Sequence, residues 1–294
     1  MPLKSLLRIL GHQKWIRFGI RDRIIRTFDN IDTRPKELFS VPFFGQTYTG
    51  DLSVYIDWST YYYGSYEGEE LSLMRDALTG VADPIVLDIG ANIGHHSLFA
   101  STLAKEVHAF EPFPEVFSKI YDKIKINSIN NIKVHEIGLG ETNETLPYSV
   151  PSNSNTGVGS FSGEAVNNSS TIYLPIRVGD EYLKSYNLPK IDYIKMDIEG
   201  FESQALRGLK NTILFHRPIV FFEWSAYGRK LNIESESLFP KDYTVYNFIS
   251  KQPYLGVFSK RGYILVADQS PFRDGNKIAI PNEQIARFNS IKSL

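Results

Sequence analysis

The sequence predicts an α/β fold built on an open, mostly parallel sheet, and three observations predict it. The run Ile85-Val-Leu-Asp-Ile-Gly-Ala-Asn-Ile-Gly94 carries an unbroken apolar stretch into Asp88, followed by the small residues Gly90, Ala91 and Gly94. Such a run reads as a strand buried on both faces, and the small residues let the backbone turn sharply into a helix bearing Leu98, Phe99 and Leu103. A second apolar strand, Val107 to Phe110, ends at Glu111, 21 residues after Gly90. Two later strands also run into acids: Ile191 to Met196 into Asp197, and Ile219 to Phe222 into Glu223. Strands alternating with helical patterns give βαβ units and a parallel sheet.

The chain opens with Lys4, Arg8, Lys14, Arg17, Arg21, Arg23 and Arg26 among Leu3, Leu6, Leu7, Leu10, Ile16, Ile20 and Ile24 at roughly helical spacing. This basic amphipathic segment, residues 1–30, is expected to lie on the main domain with its charges in water. The alternative is a helix that meets a membrane surface or a partner. From Phe39 to Tyr66 aromatic residues are frequent and are broken by Gly45, Gly50 and Gly64, a pattern expected to form short strands with turns, most rings packing in the core and a minority lining an acceptor pocket. Residues 1–66 thus form a helical and aromatic cap, and Glu69 to Leu78 is a helix leading into the main domain, residues 67–270.

Within that domain, Pro112 and Pro114 open a helix carrying Phe117, Ile120, Tyr121 and Ile124, and Ile132 to Ile137 is a strand. An insertion at 141–176 reads as a hairpin, Thr145 to Val150 with Thr171 to Ile176, around a span at 151–170 that is a candidate lid or a plain surface insertion. A helix from about Ser203 to Phe215 and strands Tyr243 to Ile249 and Tyr263 to Ala267 follow, and residues 271–294 are expected to be a tail.

The 294 residues suffice for one large α/β domain with an appendage. A net charge of -1 gives no global attraction for nucleic acid, and no specific nucleic-acid partner is expected. The absence of cysteine excludes disulfides and thiolate metal sites. No apolar run approaches bilayer-spanning length, and a cytoplasmic protein, with the inner membrane surface as the alternative, is expected.

The motif itself selects the ligand. A dinucleotide site wants Gly-x-Gly-x-x-Gly so that a pyrophosphate meets bare backbone at a helix N-terminus. Here the pattern is Asp88-x-Gly90-x-Asn92-x-Gly94, which lacks the middle glycine and adds an acid at the strand end. That suits an amino group and a sulfonium, as in S-adenosylmethionine. Glu111 stands where such folds place an acid that accepts hydrogen bonds from both ribose hydroxyls.

In an open parallel sheet the ligand lies beyond the carboxyl ends of the strands, so Asp88, Glu111, Asp197 and Glu223 are expected to face one crevice. Methyl transfer to a hydroxyl needs in-line positioning and a base for the departing proton. Asp197 or Glu199 is the candidate base. Glu202 reads as a charge favourably placed at a helix N-terminus. His95 and His96 follow Gly94 and are a further option for the base, while His12, His108, His135 and His216 read as structural. No ligand spacing demands a metal, and none is assigned.

The runs Val86 to Gly94, Ala109-Phe-Glu-Pro112, Ile194-Lys-Met-Asp-Ile-Glu-Gly-Phe-Glu202, Arg207-Gly-Leu209 and Arg217-Pro218 together resemble the FkbM family of S-adenosylmethionine-dependent methyltransferases. Gly64 to Glu67 is similar to the Gly-x-Tyr-Glu that precedes that family's domain. The resemblance spans roughly Tyr66 to Trp224. It implies the class I methyltransferase fold, Rossmann-like, with a seven-stranded sheet whose last strand is antiparallel, and O-methylation of a sugar, glycan or natural product. The cofactor-binding residues are expected to be Glu67, Asp88, Gly90, Ala91, Asn92, Gly94, Glu111, Pro112, Gly138 and Asp197. Asp197, Glu199 and Gly200 would border the methyl group and a small-molecule or glycan acceptor. Gly179 and Gly138-Leu-Gly140 depart from the family pattern. The competing readings are a nicotinamide-dependent oxidoreductase and a non-catalytic binding or scaffold protein on the same fold.

Overall fold

The computed structural model describes residues 3–150, 170–198, 200–224, 238–251, 262–268, 274–288 and 291–292. The basic N-terminal segment is two helices, α1 (Leu3–Gly11) and α2 (Phe18–Phe28), where one was expected. The break is stabilised by Arg21, whose fully buried guanidinium donates to the carbonyl of Gly11 at the end of α1 and, at 3.0 Å, to that of Ile16. Leu7 and Ile25 face a small core with Trp58 and Tyr62, while Leu3, Leu6, Ile9 and Trp15 are exposed.

β1 (Leu38–Phe43) and β2 (Gln46–Asp51) form an antiparallel hairpin, as the glycine-punctuated aromatic pattern predicts. The next aromatic run, however, is a helix, α3 (Tyr55–Tyr63), and not a strand. The strand preference of these rings yields to packing: Trp58, Tyr62 and Tyr63 all turn inward toward α1 and α2. Asp57 in its first turn accepts hydrogen bonds from Tyr48 Oη and Asp51 N, both at 2.8 Å, which ties the helix to the hairpin.

The main domain runs α4 (Gly68–Leu78), β3 (Ile85–Ile89), α5 (His95–Ala100), β4 (Glu106–Phe110), α6 (Pro114–Asn127) and β5 (Ile132–His135). It continues through β6 (Gly138–Gly140), β7 (Glu144–Val150), β8 (Ser170–Val178) and α7 (Gly179–Lys184). Then come β9 (Tyr193–Met196), α8 (Glu202–Gly208), α9 (Lys210–His216) and β10 (Ile219–Trp224). The described chain closes with β11 (Tyr243–Lys251), β12 (Gly262–Ala267), β13 (Gly275–Pro281) and β14 (Ile291–Lys292). β7 and β8 make the expected hairpin, with β6 added in parallel to β8. Of the span 151–170, the candidate lid or plain surface insertion, residues 151–169 lie outside the described residues and Ser170 opens β8.

Among the described residues the central sheet has nine strands in the order β14-β12-β11-β13-β10-β9-β3-β4-β5. The five from β5 to β10 are mutually parallel, and β13 inserts antiparallel to both β10 and β11. This is the class I methyltransferase arrangement with β12 and β14 added at one edge. It corrects the expected tail at 271–294, since β13 lies inside the sheet. Lys277 breaks the apolar pattern that would mark the strand. Its buried ammonium is neutralised by Asp268 at 2.9 Å and also donates to Asn247.

Strand residues alternate between two cores. Val86, Tyr193, Ile219 and Phe221 pack toward α4 and α5, while Leu87, Ile194, Val220 and Phe222 pack toward α8 and α9. Asp88 and Lys195 share the parity of the first set and therefore belong to the α4 and α5 side.

Candidate functional site

The β3–α5 turn sits where Gly90 presses against the loop after β9. A Cβ at Gly90 would lie 1.9 Å from the carbonyl oxygen of Asp197, and its φ of +73° is left-handed, so both contact and conformation require glycine. Asn92 is also left-handed, at φ +52°, and this aims its N–H at Glu111 Oε2, 2.9 Å away. Glu111 Oε1 accepts from Phe113 N at 3.1 Å. Each carboxylate oxygen is thus oriented by one backbone donor and keeps a lone pair for a ligand. Burial pushes the Glu111 carboxyl up to about 7, against the opposing pull of those two N–H groups.

Asp88 is fully buried beneath the turn. Oδ2 accepts from Ser97 Oγ at 2.6 Å, whereas Oδ1 has no hydrogen-bond partner. Lys195, its neighbour on β9, places Nζ 3.8 Å from Oδ1. Burial raises the Asp88 carboxyl, and Lys195 and Ser97 oppose the rise. Lys195 also donates to the Gly90 carbonyl at 3.2 Å and to Asp197 Oδ2 at 3.4 Å. Burial works against its charge, but Asp197, Asp88, Glu67 and Glu70 outweigh burial and raise its pKa. The sequence reading missed Lys195, which there appears as one residue of the β9 strand. A lysine between apolar residues just before an acid was the available signal.

The loop after β9 is fixed by Glu202. Its buried carboxylate accepts from Ile198 N and Gly200 N, both at 3.1 Å, so it organises the turn as well as standing in the first turn of α8. Burial lifts this carboxyl to about 7. Asp197 keeps 36% of its side chain exposed. Glu199, the other candidate base, lies outside the described residues. Glu223 is half-buried at the end of β10, opposite Asn276 of β13.

A second group meets this one from α4. Glu67, in the left-handed region at φ +46°, precedes the helix, and Glu70 follows one turn later. Glu70 is buried and accepts from Asn276 Nδ2 at 2.6 Å. Burial, then the charge of Asp197, moves the Glu67 carboxyl up to about 7, and burial and Glu67 raise Glu70 well above the usual range. His96 Nε2 lies 3.8 Å from an oxygen of each. Burial holds His96 well below the ordinary imidazole value. His95 is different: Nδ1 meets Thr60 Oγ1 at 3.2 Å and Nε2 meets the Tyr66 carbonyl at 3.1 Å. With both nitrogens engaged and burial driving its pKa down to about 3, His95 is a structural residue and not a base.

Beside Glu67 opens a cavity of about 210 Å³ lined by the rings of Phe18, Tyr55, Tyr63 and Tyr66 and by Ser59, Ser65 and Ser250. The N-terminal cap therefore supplies most of an aromatic, hydroxyl-bearing pocket that touches the acidic group.

The remaining expected positions lie close by. Ala91 is buried, with its N–H on the Phe110 carbonyl at 3.0 Å, and Gly94 heads α5 in the left-handed region. A Cβ at Gly138 would meet Ile176 Cδ1 at 2.6 Å and Pro112 Cγ at 3.6 Å, so that glycine lets β6 close against the segment after Glu111. The donor set fits S-adenosylmethionine: a preoriented carboxylate for a diol, and the part-exposed Asp197 carboxylate beside the turn for a sulfonium and an ammonium.

A family model described as the methyltransferase FkbM domain matches residues 88–253. The hexuronic acid methyltransferase AglP of Haloferax volcanii is 29% identical over 131 residues, covering 45% of this chain and 52% of that protein. Methyltransferase 1 of Beauveria bassiana is 25% identical over 150 residues, covering 43% of this chain and 59% of that protein. The matches thus span little more than half the length of these two relatives. Among solved structures, an FkbM methyltransferase from Methylobacillus flagellatus KT aligns with a TM-score of 0.38 at 20% identity, over 68% of this chain and 45% of that one.

Proposed function

Because this chain belongs to the FkbM methyltransferase domain family, which is S-adenosylmethionine-dependent, we propose that it transfers a methyl group to a hydroxyl of a sugar-like small molecule or glycan. The observation that carries this reading is that Glu67 joins the two groups: it lines the aromatic cavity and lies close enough to Asp197 to feel its charge. Tyrosine and phenylalanine faces stack on the apolar faces of sugar rings, and serine hydroxyls hydrogen-bond their edges. The name of the Haloferax volcanii relative, a hexuronic acid methyltransferase, agrees with such an acceptor.

When bound, S-adenosylmethionine supplies an electrophilic methyl carbon on a sulfonium sulfur. In this reading the chain's own residues do the rest. Glu111 accepts hydrogen bonds from the ribose hydroxyls, with the turn Gly90 to Gly94 against the amino-acid end. Asp88 is buried and acts from beneath, holding Lys195 and the turn in place rather than touching the ligand. Asp197 would take the acceptor proton as the oxygen–carbon bond forms and the carbon–sulfur bond breaks, its electron pair leaving with the thioether product, and Lys195 holds the Asp197 carboxylate in position. Positioning by the aromatic cavity provides the in-line approach.

Isothermal calorimetry with S-adenosylmethionine, S-adenosylhomocysteine and NAD, followed by transfer of labelled methyl to an extract lacking the protein, tests this. The two sulfur ligands should bind and NAD should not, and the label should enter a carbohydrate fraction. Tight NAD binding with no binding of the other two would sink the reading. No helix among the described residues is long and apolar enough to cross a membrane.

A further inference from the structure

We propose that Glu67, Glu70 and His96 form a binding site for one first-row divalent cation of the Mn2+ or Zn2+ type. Their donor atoms lie within 4.8 Å of one another. Ligand atoms about 2.1 Å from a shared ion stand roughly 3.0–3.5 Å apart, so the three groups close on an ion by side-chain rotation alone. Two carboxylate oxygens and one imidazole nitrogen form a mixed set that such ions accept.

Three further observations point to a ligand there. His96 is a buried side chain, 7% exposed, whose Nε2 has no hydrogen-bond partner although it faces both carboxylates. Buried imidazole nitrogens are ordinarily satisfied, and a coordinated ion satisfies this one. The scaffold also holds the ligands in place. Glu67 immediately precedes α4 and Glu70 stands in its first turn, His96 is the second residue of the adjacent α5, and Asn276 orients Glu70 from β13. Finally, Lys195 lies against Asp88 and Asp197, at 3.8 and 3.4 Å, and is their counter-ion. A divalent cation would serve Glu67 and Glu70 in the same way.

Glu67 also lines the aromatic cavity, which places the ion site beside the proposed acceptor pocket. There the ion would polarise the acceptor hydroxyl and ease loss of its proton. This purpose rests on the methyl-transfer reading, whereas the binding site does not. It also moves Glu67 from the cofactor to the ion.

The test is titration of the chelator-treated full chain with Mn2+, read by electron paramagnetic resonance, with Zn2+ as competitor. One Mn2+ should bind per chain and be displaced by Zn2+. Glu70→Gln and His96→Gln should each weaken binding by at least about tenfold, a loss typical of disturbing a metal's ligand shells. Glu67→Gln, at a partly exposed position, should do the same with an unchanged circular dichroism spectrum, which covers the case in which a buried variant misfolds. Absence of stoichiometric Mn2+ and Zn2+ binding, or equal affinity in wild type and Glu67→Gln, would overturn the proposal. So would one-for-one displacement of Mn2+ by S-adenosylhomocysteine, because the carboxylates would then grip the cofactor's ammonium. If S-adenosylhomocysteine binds and neither metal does, the ion site falls and the methyl-transfer reading stands. If Mn2+ binds and no sulfur ligand does, the reverse holds.

Discussion

Asp88 and Lys195 are partners in the parallel register of β3 and β9, and the lysine ammonium lies 3.8 Å from the one Asp88 oxygen that accepts no hydrogen bond. Both side chains are almost wholly buried, so neither charge is relieved by water. Lys195 links the turn after β3, through the Gly90 carbonyl, to Asp197 in the loop after β9.

Removing one member of a buried pair strands the other. Lys195→Met should lower unfolding free energy by about 3–5 kcal/mol in urea denaturation. Adding Asp88→Asn should recover part of that loss, since a neutral amide no longer needs the cation. A loss under about 1 kcal/mol would mean that the pair contributes little.

Glu111 titrates where experiments are convenient. Its carboxyl is raised by burial to about 7, and a carboxylate accepts two hydroxyl hydrogen bonds whereas the protonated form accepts fewer. Affinity for S-adenosylhomocysteine should therefore rise as pH increases through about 7 and level off above it. Calorimetry between pH 6 and pH 8.5 checks the sign, and Glu111→Ala should abolish measurable binding at every pH.

Asp197→Asn keeps shape and removes the proton acceptor. Turnover should fall by about 10²–10⁴, the usual contribution of a general base, while affinity for S-adenosylhomocysteine changes less than about threefold. Unchanged turnover would take Asp197 out of that role.

Gly90→Ala places a methyl 1.9 Å from the Asp197 carbonyl in a left-handed backbone. Positive φ alone costs about 1–3 kcal/mol for a non-glycine residue, and the contact forces the turn off the loop after β9. A lowered melting temperature together with lost cofactor binding is expected, and wild-type values for both would contradict the geometry described.

Tyr55 lines the cavity and is part-exposed, so its loss should not unfold the cap. In steady-state kinetics with an identified acceptor, Tyr55→Ala should raise KM for the acceptor several-fold and leave cofactor affinity unchanged. A weakened cofactor affinity would reassign the cavity.

Much of the parallel half of the sheet was legible because buried strands are written as short apolar runs. Ile85 to Ile89, Val107 to Phe110 and Ile219 to Phe222 each announce themselves and each ends in or near an acid. β13 was not legible. Asn276 and Lys277 read as solvent-facing until Asp268, Asn247 and Glu70 are brought alongside to satisfy them. The helix Tyr55–Tyr63 carries a strand-like aromatic pattern for a related reason, since ring preference for strands is weak beside the packing of Trp58 and Tyr62.

The sequence by itself determined the order of apolar strands, the glycines of the turn after β3 and the acids Asp88, Glu111 and Asp197, because each is a local pattern tied to backbone geometry or burial. Only the tertiary structure decided which acids meet. It set Asp88 beneath the turn, put Lys195 among four carboxylates, and joined Glu67 and Glu70 of α4 to His96 of α5 beside an aromatic pocket drawn from the cap. Charges act over a few ångströms through space, and distance along the chain does not encode that separation.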